Sequence, residues 1–209
     1  LIKGSGVDTD VFNYTPEPDT LPVVMVACRM LLDKGVVEFV EAARQVHSKG
    51  IKARFVLVGD VDPDNPMSLE SSQIAQWVEE GIIEWWGNQK NMPKVFSHAH
   101  IVSLPSYAEG LPKVLIEASS CGRPIITTNV SGCKETVRDG ENGFLVPVKN
   151  PKALAEAFIR LLSDKQLRQR MGHAGREMAI KEFSIKIVIE QTFAIYQDLS
   201  KPLKIQTLP

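Results

Sequence analysis

With 209 residues, 44% of them hydrophobic, the chain has material for one good-sized globular domain or slightly more. Its net charge of −1 argues against a general nucleic-acid binder, and no apolar run approaches the ~18 residues of a membrane span. Cys28, Cys121 and Cys133 have no metal-like spacing and no secretory pattern opens the chain, so a reducing cytoplasm is the expected setting.

The chain starts at Leu1 rather than Met and reads as a piece of something longer. Residues 1–21 read as an arm or interdomain linker, because Pro16-Glu17-Pro18-Asp19 cannot continue any regular element. Val23 to Cys28 is a continuous apolar run, the pattern of a buried parallel strand. Arg29 follows at its carboxyl end. Lys34-Gly35 then lead into a helix over Val36–Ser48, with Val36, Val37, Val40, Ala43 and Val46 at helical spacing. Phe55–Val58 reads as the second strand. Val61–Pro66, which holds Asp62 and Asp64, must be a loop. A helix over Leu69–Glu80 turns Ile74, Trp77 and Val78 inward, and Ile82–Trp86 is a third strand turning at Gly87-Asn88. Met92–Ala99 is a short helix. His98 and His100 read as ordinary surface or helix-terminal residues, since no third ligand stands near them.

The most informative stretch is 106–128. Ile101–Leu104 is a strand that ends at Pro105, and a polar loop carrying Glu109 and Gly110 follows. Pro112 suits the first turn of a helix that runs to about Cys121, with Gly122 past its end. Ile125–Thr127 is the next strand. This βαβ unit should cross over right-handedly and hold its ligand at the strand ends, against the helix start. The amides after Gly110, at Leu111, Lys113 and Val114, are placed to face an anion, while Pro112 cannot donate. The carboxylates of Glu109 and Glu117 would repel a phosphate, so they are expected to accept hydrogen bonds from hydroxyls. A sugar nucleotide supplies both partners. The plainer account of Glu117 is an i,i+4 ion pair with Lys113, worth ~0.3–0.5 kcal/mol.

Ser131 reads as the N-cap of a short helix, and 138–143 as a turn cluster before a last strand at Phe144–Val148. Asn150 caps a helix that starts at Pro151. Two further helices follow, over Lys165–Ile180 and Ser184–Leu199, and the tail at 201–209 should fray. The expected fold is α/β: a doubly wound, Rossmann-like parallel sheet of about six strands with helices on both faces and a C-terminal helical tail. The domain proper is 22–200.

These residues carry a family resemblance. Glu109-Gly-Leu-Pro-Lys-Val-Leu-Ile-Glu117 resembles the E-x7-E signature of retaining GT-B glycosyltransferases of family 4. Ala118 to Thr127 is similar to that family's "EAmacG.PVi.T" run. Gly132, Glu135, Asp139-Gly140 and Asn142-Gly143 resemble its next block. Arg29 and Lys34-Gly35 match its paired basic residues, and Gly6-Val7-Asp8 its "NGVD" segment. Ser5 stands where the family more often has Asn, and Cys133 where it often has a second Gly. Five blocks in the right order make the resemblance specific.

The resemblance implies the donor-binding half of a GT-B fold, with the N-terminal acceptor domain absent from this chain. It implies transfer, with retention, of a hexose-type sugar from a nucleoside-diphosphate sugar, a UDP-sugar first. The acceptor would be a glycan or lipid-linked molecule, and the full enzyme would work in the cytoplasm or at the inner face of the membrane. Arg29, Lys34 and Glu109 are the implied catalytic residues. Glu117, Gly110, Leu111, Lys113, Val114, Trp86 and Asn88 are the implied donor-binding residues. No metal or cofactor is expected, because Arg29 and Lys34 can take a metal's place at the diphosphate. Two rival readings are a non-catalytic nucleotide-binding module and a sugar-nucleotide 2-epimerase of related fold, whose proteins lack the E-x7-E run.

Overall fold

A computed structural model describes residue 4 and residues 6–200; residues 1–3, Ser5 and the tail at 201–209 lie outside the described residues. Among these, six strands form one parallel sheet: β1 (Val23–Ala27), β2 (Arg54–Val58), β3 (Glu84–Trp85), β4 (Ile101–Leu104), β5 (Ile125–Thr128) and β6 (Gly143–Val146). All five residues of β1 are buried, because helices cover both faces and leave no polar side to alternate. Val24 sits opposite Phe55 of β2 on one side and Ile101 of β4 on the other.

The strand order is β3-β2-β1-β4-β5-β6. From β1 the chain steps outward to β2 and β3, then returns to β4 and steps the other way. Right-handed crossovers therefore put the intervening helices on opposite faces. Helix α1 (Val36–Ser48) packs with α6 (Pro151–Ser163) on one face, and α4 (Lys113–Ser120) with α7 (Lys165–Phe183) on the other. Shorter helices α2 (Ser71–Glu79), α3 (Met92–Ser97) and α5 (Ser131–Lys134), and the closing α8 (Ile185–Leu199), complete the described chain. The reversal of direction between β1 and β4 opens a crevice at their carboxyl ends, where ligands of such sheets bind. Behind it, Phe39, Phe55 and Phe158 form a buried triangle with 5.7 Å between each pair of ring centroids.

Several boundaries differ from expectation for physical reasons. β3 is two residues rather than five, because it is an edge strand that pairs only through Val56–Glu84 and Leu57–Trp85. Pro112 is not in the first turn of α4 but caps it, with φ −72° and ψ 100°. The ring fixes φ only, so ψ stays extended and helical geometry starts at Lys113. Ser131 is the first residue of α5 rather than its cap; Val130 is the cap and supplies no side-chain bond. Val78 is exposed rather than inward. Asn150 does cap α6, accepting from Ala153 N at 2.9 Å.

The arm is bound to the body over its described length. Val7 is fully buried and bridges Ser184. Arg176 donates to the carbonyls of Thr9 and Phe12, at 3.0 and 2.7 Å, and to that of Ser120. Arg123 donates to Thr15 O at 2.7 Å, and Arg168 meets Glu17 at 2.5 Å. His100 is not on the surface. It is buried, its Nδ1 accepts from Val23 N and its Nε2 donates to Pro18 O, both at 3.0 Å. That pattern requires the neutral ring, and burial lowers its pKa accordingly. No helix among the described residues is long and apolar enough to cross a membrane.

Candidate functional site

The crevice is assembled from three close approaches of backbone. A tight turn at Leu32–Lys34 follows β1 and ends at Gly35, which has φ +72°. A Cβ on Gly35 would lie 2.1 Å from Pro105 O, so only glycine lets this turn touch the end of β4. The touching segments are then locked. Tyr107 N donates to Asp33 O at 2.8 Å, Ser106 Oγ donates to the same carbonyl at 3.0 Å, and Tyr107 O–H donates to Glu38 at 2.6 Å. Gly132, at the start of α5, closes the other side. Its N donates to Glu109 O at 3.2 Å, and a Cβ there would lie 1.9 Å from Gly110 O.

The lock brings Lys34 and Glu109 together, although 74 residues separate them in sequence. Lys34 Nζ lies 2.7 Å from Glu109 Oε1, with side chains only 18% and 15% exposed. Arg29, at the end of β1, reaches outward and places Nη1 2.7 Å from Asp62 Oδ2, with exposures of 61% and 28%. Glu117 lies just over one turn into α4, and its side chain is 14% exposed. Lys113 Nζ is 3.9 Å away, beyond a hydrogen bond, so the i,i+4 pair is loose. Burial holds the Glu117 carboxyl above its usual range, and Lys113 offsets this only in part.

Two adjoining cavities run along this rim. One, of about 410 Å³, is lined by Asp60, Asp62, Asn88 and Glu117; the other, of about 320 Å³, by Lys34, Glu109, Leu111 and Lys113. Ala27, Cys28, Arg29 and Val114 border both. The structure thus gathers Arg29, Lys34, Glu109 and Glu117 at one end of the sheet. The amides of Leu111, Lys113 and Val114 find no acceptor among the described residues, as the first turn of a helix dictates. All three residues line the second cavity. Cys28 is half-buried against the core, and desolvation pushes its thiol up to about 12, away from the reactive thiolate form.

Trp86 is placed elsewhere. Its side chain lines a separate groove with Arg54, Lys94 and His98; its indole N–H donates to Glu84 at 3.0 Å, and the Arg54 guanidinium lies 5.9 Å from its ring. Successive strand residues project to opposite sides, so Trp85 and Trp86 part company, and the Trp85 indole bonds Gly59 O at 2.7 Å. Asn88 does line the cleft, its N donating to Asp60 at 2.9 Å. The sequence reading missed Asp60 and Asp62 as cleft residues. The sequence marks Asp62 only as one of two aspartates in a proline-rich loop. Among the described residues no three His, Cys, Asp or Glu side chains gather as a metal-binding set.

The family model for glycosyl transferases group 1 matches residues 8–178. The chain belongs to that family. Curated relatives of this glycosyltransferase chain include the capsular polysaccharide biosynthesis glycosyltransferase CapM of Staphylococcus aureus, 30% identical over 83% of this chain and 45% of CapM. Another is the N,N'-diacetylbacillosaminyl-diphospho-undecaprenol alpha-1,3-N-acetylgalactosaminyltransferase of Campylobacter jejuni, 31% identical over 88% of this chain and 46% of that protein. The chain therefore spans about half the length of the curated relatives it matches. Among solved structures, sucrose-phosphate synthase from Thermosynechococcus elongatus superposes with a TM-score of 0.83 and 28% identity, over 94% of this chain and 52% of that one. Anabaena HepE in complex with UDP shares the fold, with a TM-score of 0.82 and 20% identity over 92% of this chain and 56% of that one.

Proposed function

We propose that this chain is the donor-binding half of a retaining glycosyltransferase, and that its crevice holds a nucleoside-diphosphate sugar, a UDP-sugar first. One observation carries the reading. Two cations, two carboxylates and a helix start with unused amides share a single rim at the switch between β1 and β4. In the proposed complex the diphosphate lies across Arg29, Lys34 and the α4 amides. Departure of the nucleoside diphosphate builds negative charge on its outer phosphate. Preorganised cations and amides stabilise that charge without a metal ion. Arg29 can hold two phosphate oxygens at once, whereas Lys34 acts as a point charge.

Glu117 accepts from the ribose hydroxyls and Glu109 from those of the donor sugar. Its ion pair with Lys34 leaves Glu109 Oε2 for that purpose and ties the sugar contact to the phosphate contact. Asn88 lines the cavity beside Glu117, where the nucleoside would lie. The acceptor, a glycan or lipid-linked molecule, would be held by the half of the enzyme that this chain does not include. The names of the bacterial relatives favour polysaccharide or lipid-linked glycan assembly; the same reading puts the full enzyme in the cytoplasm or at the inner face of the membrane.

Calorimetry of UDP, GDP and ADP with the intact protein in EDTA tests the reading. UDP should bind without metal. Arg29→Ala and Lys34→Ala should each weaken it by about 1–3 kcal/mol, the scale of a charged hydrogen bond, with Arg29 at the lower end because it is exposed. Binding that appears only when Mg²⁺ is added would refute the metal-free diphosphate site.

A further inference from the structure

We propose that Asp62 is a positioning residue that competes with the diphosphate for Arg29 and so sets how tightly the product nucleoside diphosphate is held. This rests on the donor-site reading above. Asp62 Oδ2 stands 2.7 Å from Arg29 Nη1, on the wall of the same 410 Å³ cavity that Glu117 and Asn88 line. It is the one described contact of the Arg29 guanidinium. A carboxylate at hydrogen-bond distance occupies the place that a phosphate oxygen would take.

The loop that carries Asp62 is anchored. Asp62 N donates to Ser68 Oγ at 2.9 Å, and Ser68 also bridges Leu31. Leu32 N donates to Met67 O and Leu69 N to Met30 O, both at 2.8 Å. The carboxylate is therefore held beside the end of β1 by backbone contacts, not by its bond to Arg29. When a phosphate takes Arg29, the acid stays close by and repels it. A ligand gains the site only if its other groups make up the difference, as hydroxyls on Glu117 and Glu109 would for an intact donor. A bare diphosphate gains less. Lys34 shows the same arrangement with Glu109, but there the acid is itself assigned to the sugar. Asp62 has no such assignment.

The test is calorimetry of UDP and of inorganic pyrophosphate with the intact protein and its Asp62→Asn variant. Asn is isosteric and keeps the backbone bond to Ser68. Asp62→Asn should bind both probes about fivefold tighter in low salt, the upper scale of an exposed ion pair. The gain should shrink in 0.5 M salt as screening weakens both the pair and the repulsion. It should also be smaller in an Arg29→Gln background, where the competition is gone and only the repulsion is left to relieve; a merely structural role of Asp62 would leave it the same. In turnover, product inhibition by UDP should strengthen by the same factor. Unchanged or weaker binding by Asp62→Asn, with wild-type protein binding normally, overturns this proposal alone; absence of UDP and pyrophosphate binding by the wild type overturns the donor-site reading and this proposal with it.

Discussion

Substituting Gly132 by Ala tests whether the loop carrying Glu109 is held by shape. The added methyl would sit 1.9 Å from Gly110 O, 2.4 Å from Gly110 C and 2.5 Å from Glu109 O. Ordinary contact begins at 3.4 Å, so the loop or α5 must yield by about 1.5 Å. All three obstructing atoms are backbone, which no rotamer change relieves. Overpacking of this kind costs about 1–3 kcal/mol. For a chain of this size that is a fall in Tm of about 3–9 °C. A displacement of that size also breaks the 2.7 Å contact between Lys34 and Glu109 and turns the α4 amides, so UDP affinity should fall at least tenfold. Gly110→Ala is the control. It lies on the same loop with nothing within 4 Å of its Cβ, so its stability should stay within the scatter of a surface change, about ±0.5 kcal/mol. Thermal melts and calorimetry of both variants settle the matter. A Gly132→Ala protein with unchanged Tm and unchanged UDP affinity would refute the reasoning.

Glu117→Gln should stabilise the fold while weakening nucleotide binding. A carboxyl whose folded pKa is raised by burial is best tolerated protonated, so its stability is greatest below its unfolded pKa and declines as the pH rises through the folded value. The variant's Tm should therefore exceed wild type at pH 8, by a few degrees at most, and the gap should close toward pH 4. Arg54→Ala removes a two-pronged bond to Glu84, at 2.6 and 2.7 Å, on side chains about 40% exposed. The cost should be under about 1 kcal/mol at pH 7. The Arg54 hydrogen bond holds Glu84 below its usual range, so this stability is present above the unfolded carboxylate pKa and lost as the pH falls through the lower folded value. Urea titrations of wild type and variant should converge in acid.

Repetitive features were legible in the sequence, and long-range ones were not. Continuous apolar runs such as Val23–Ala27 announced buried parallel strands, and Asn150-Pro151 announced a helix start, because each signal is complete within a few residues. The E-x7-E spacing likewise put Glu109 in the loop before α4 and Glu117 within it. Trp85-Trp86 could not be resolved, since alternation says the rings part but not what lies on either side. Asp62 was hidden because its meaning lies in Arg29, 33 residues earlier and on another strand end. Buried Arg123 and Arg168 look like surface residues in the sequence. Arg123 is satisfied by Thr15 and Pro16, and Arg168 by Glu17, 151 positions away, together with the nearby carbonyls of Leu161 and Leu162.

Those arginines give the arm a thermodynamic role. Freeing residues 7–18 would strand guanidinium groups of α7 and of the β5 approach without their carbonyl and carboxylate acceptors, a change far dearer than fraying a linker. Amide exchange at Val7 and Phe12 should therefore follow the same opening event as the helices beneath, as members of one cooperative unit. Any tilt of the chain entering at Val7 is consequently felt by α7, and through α4 by the rim where the proposed diphosphate lies.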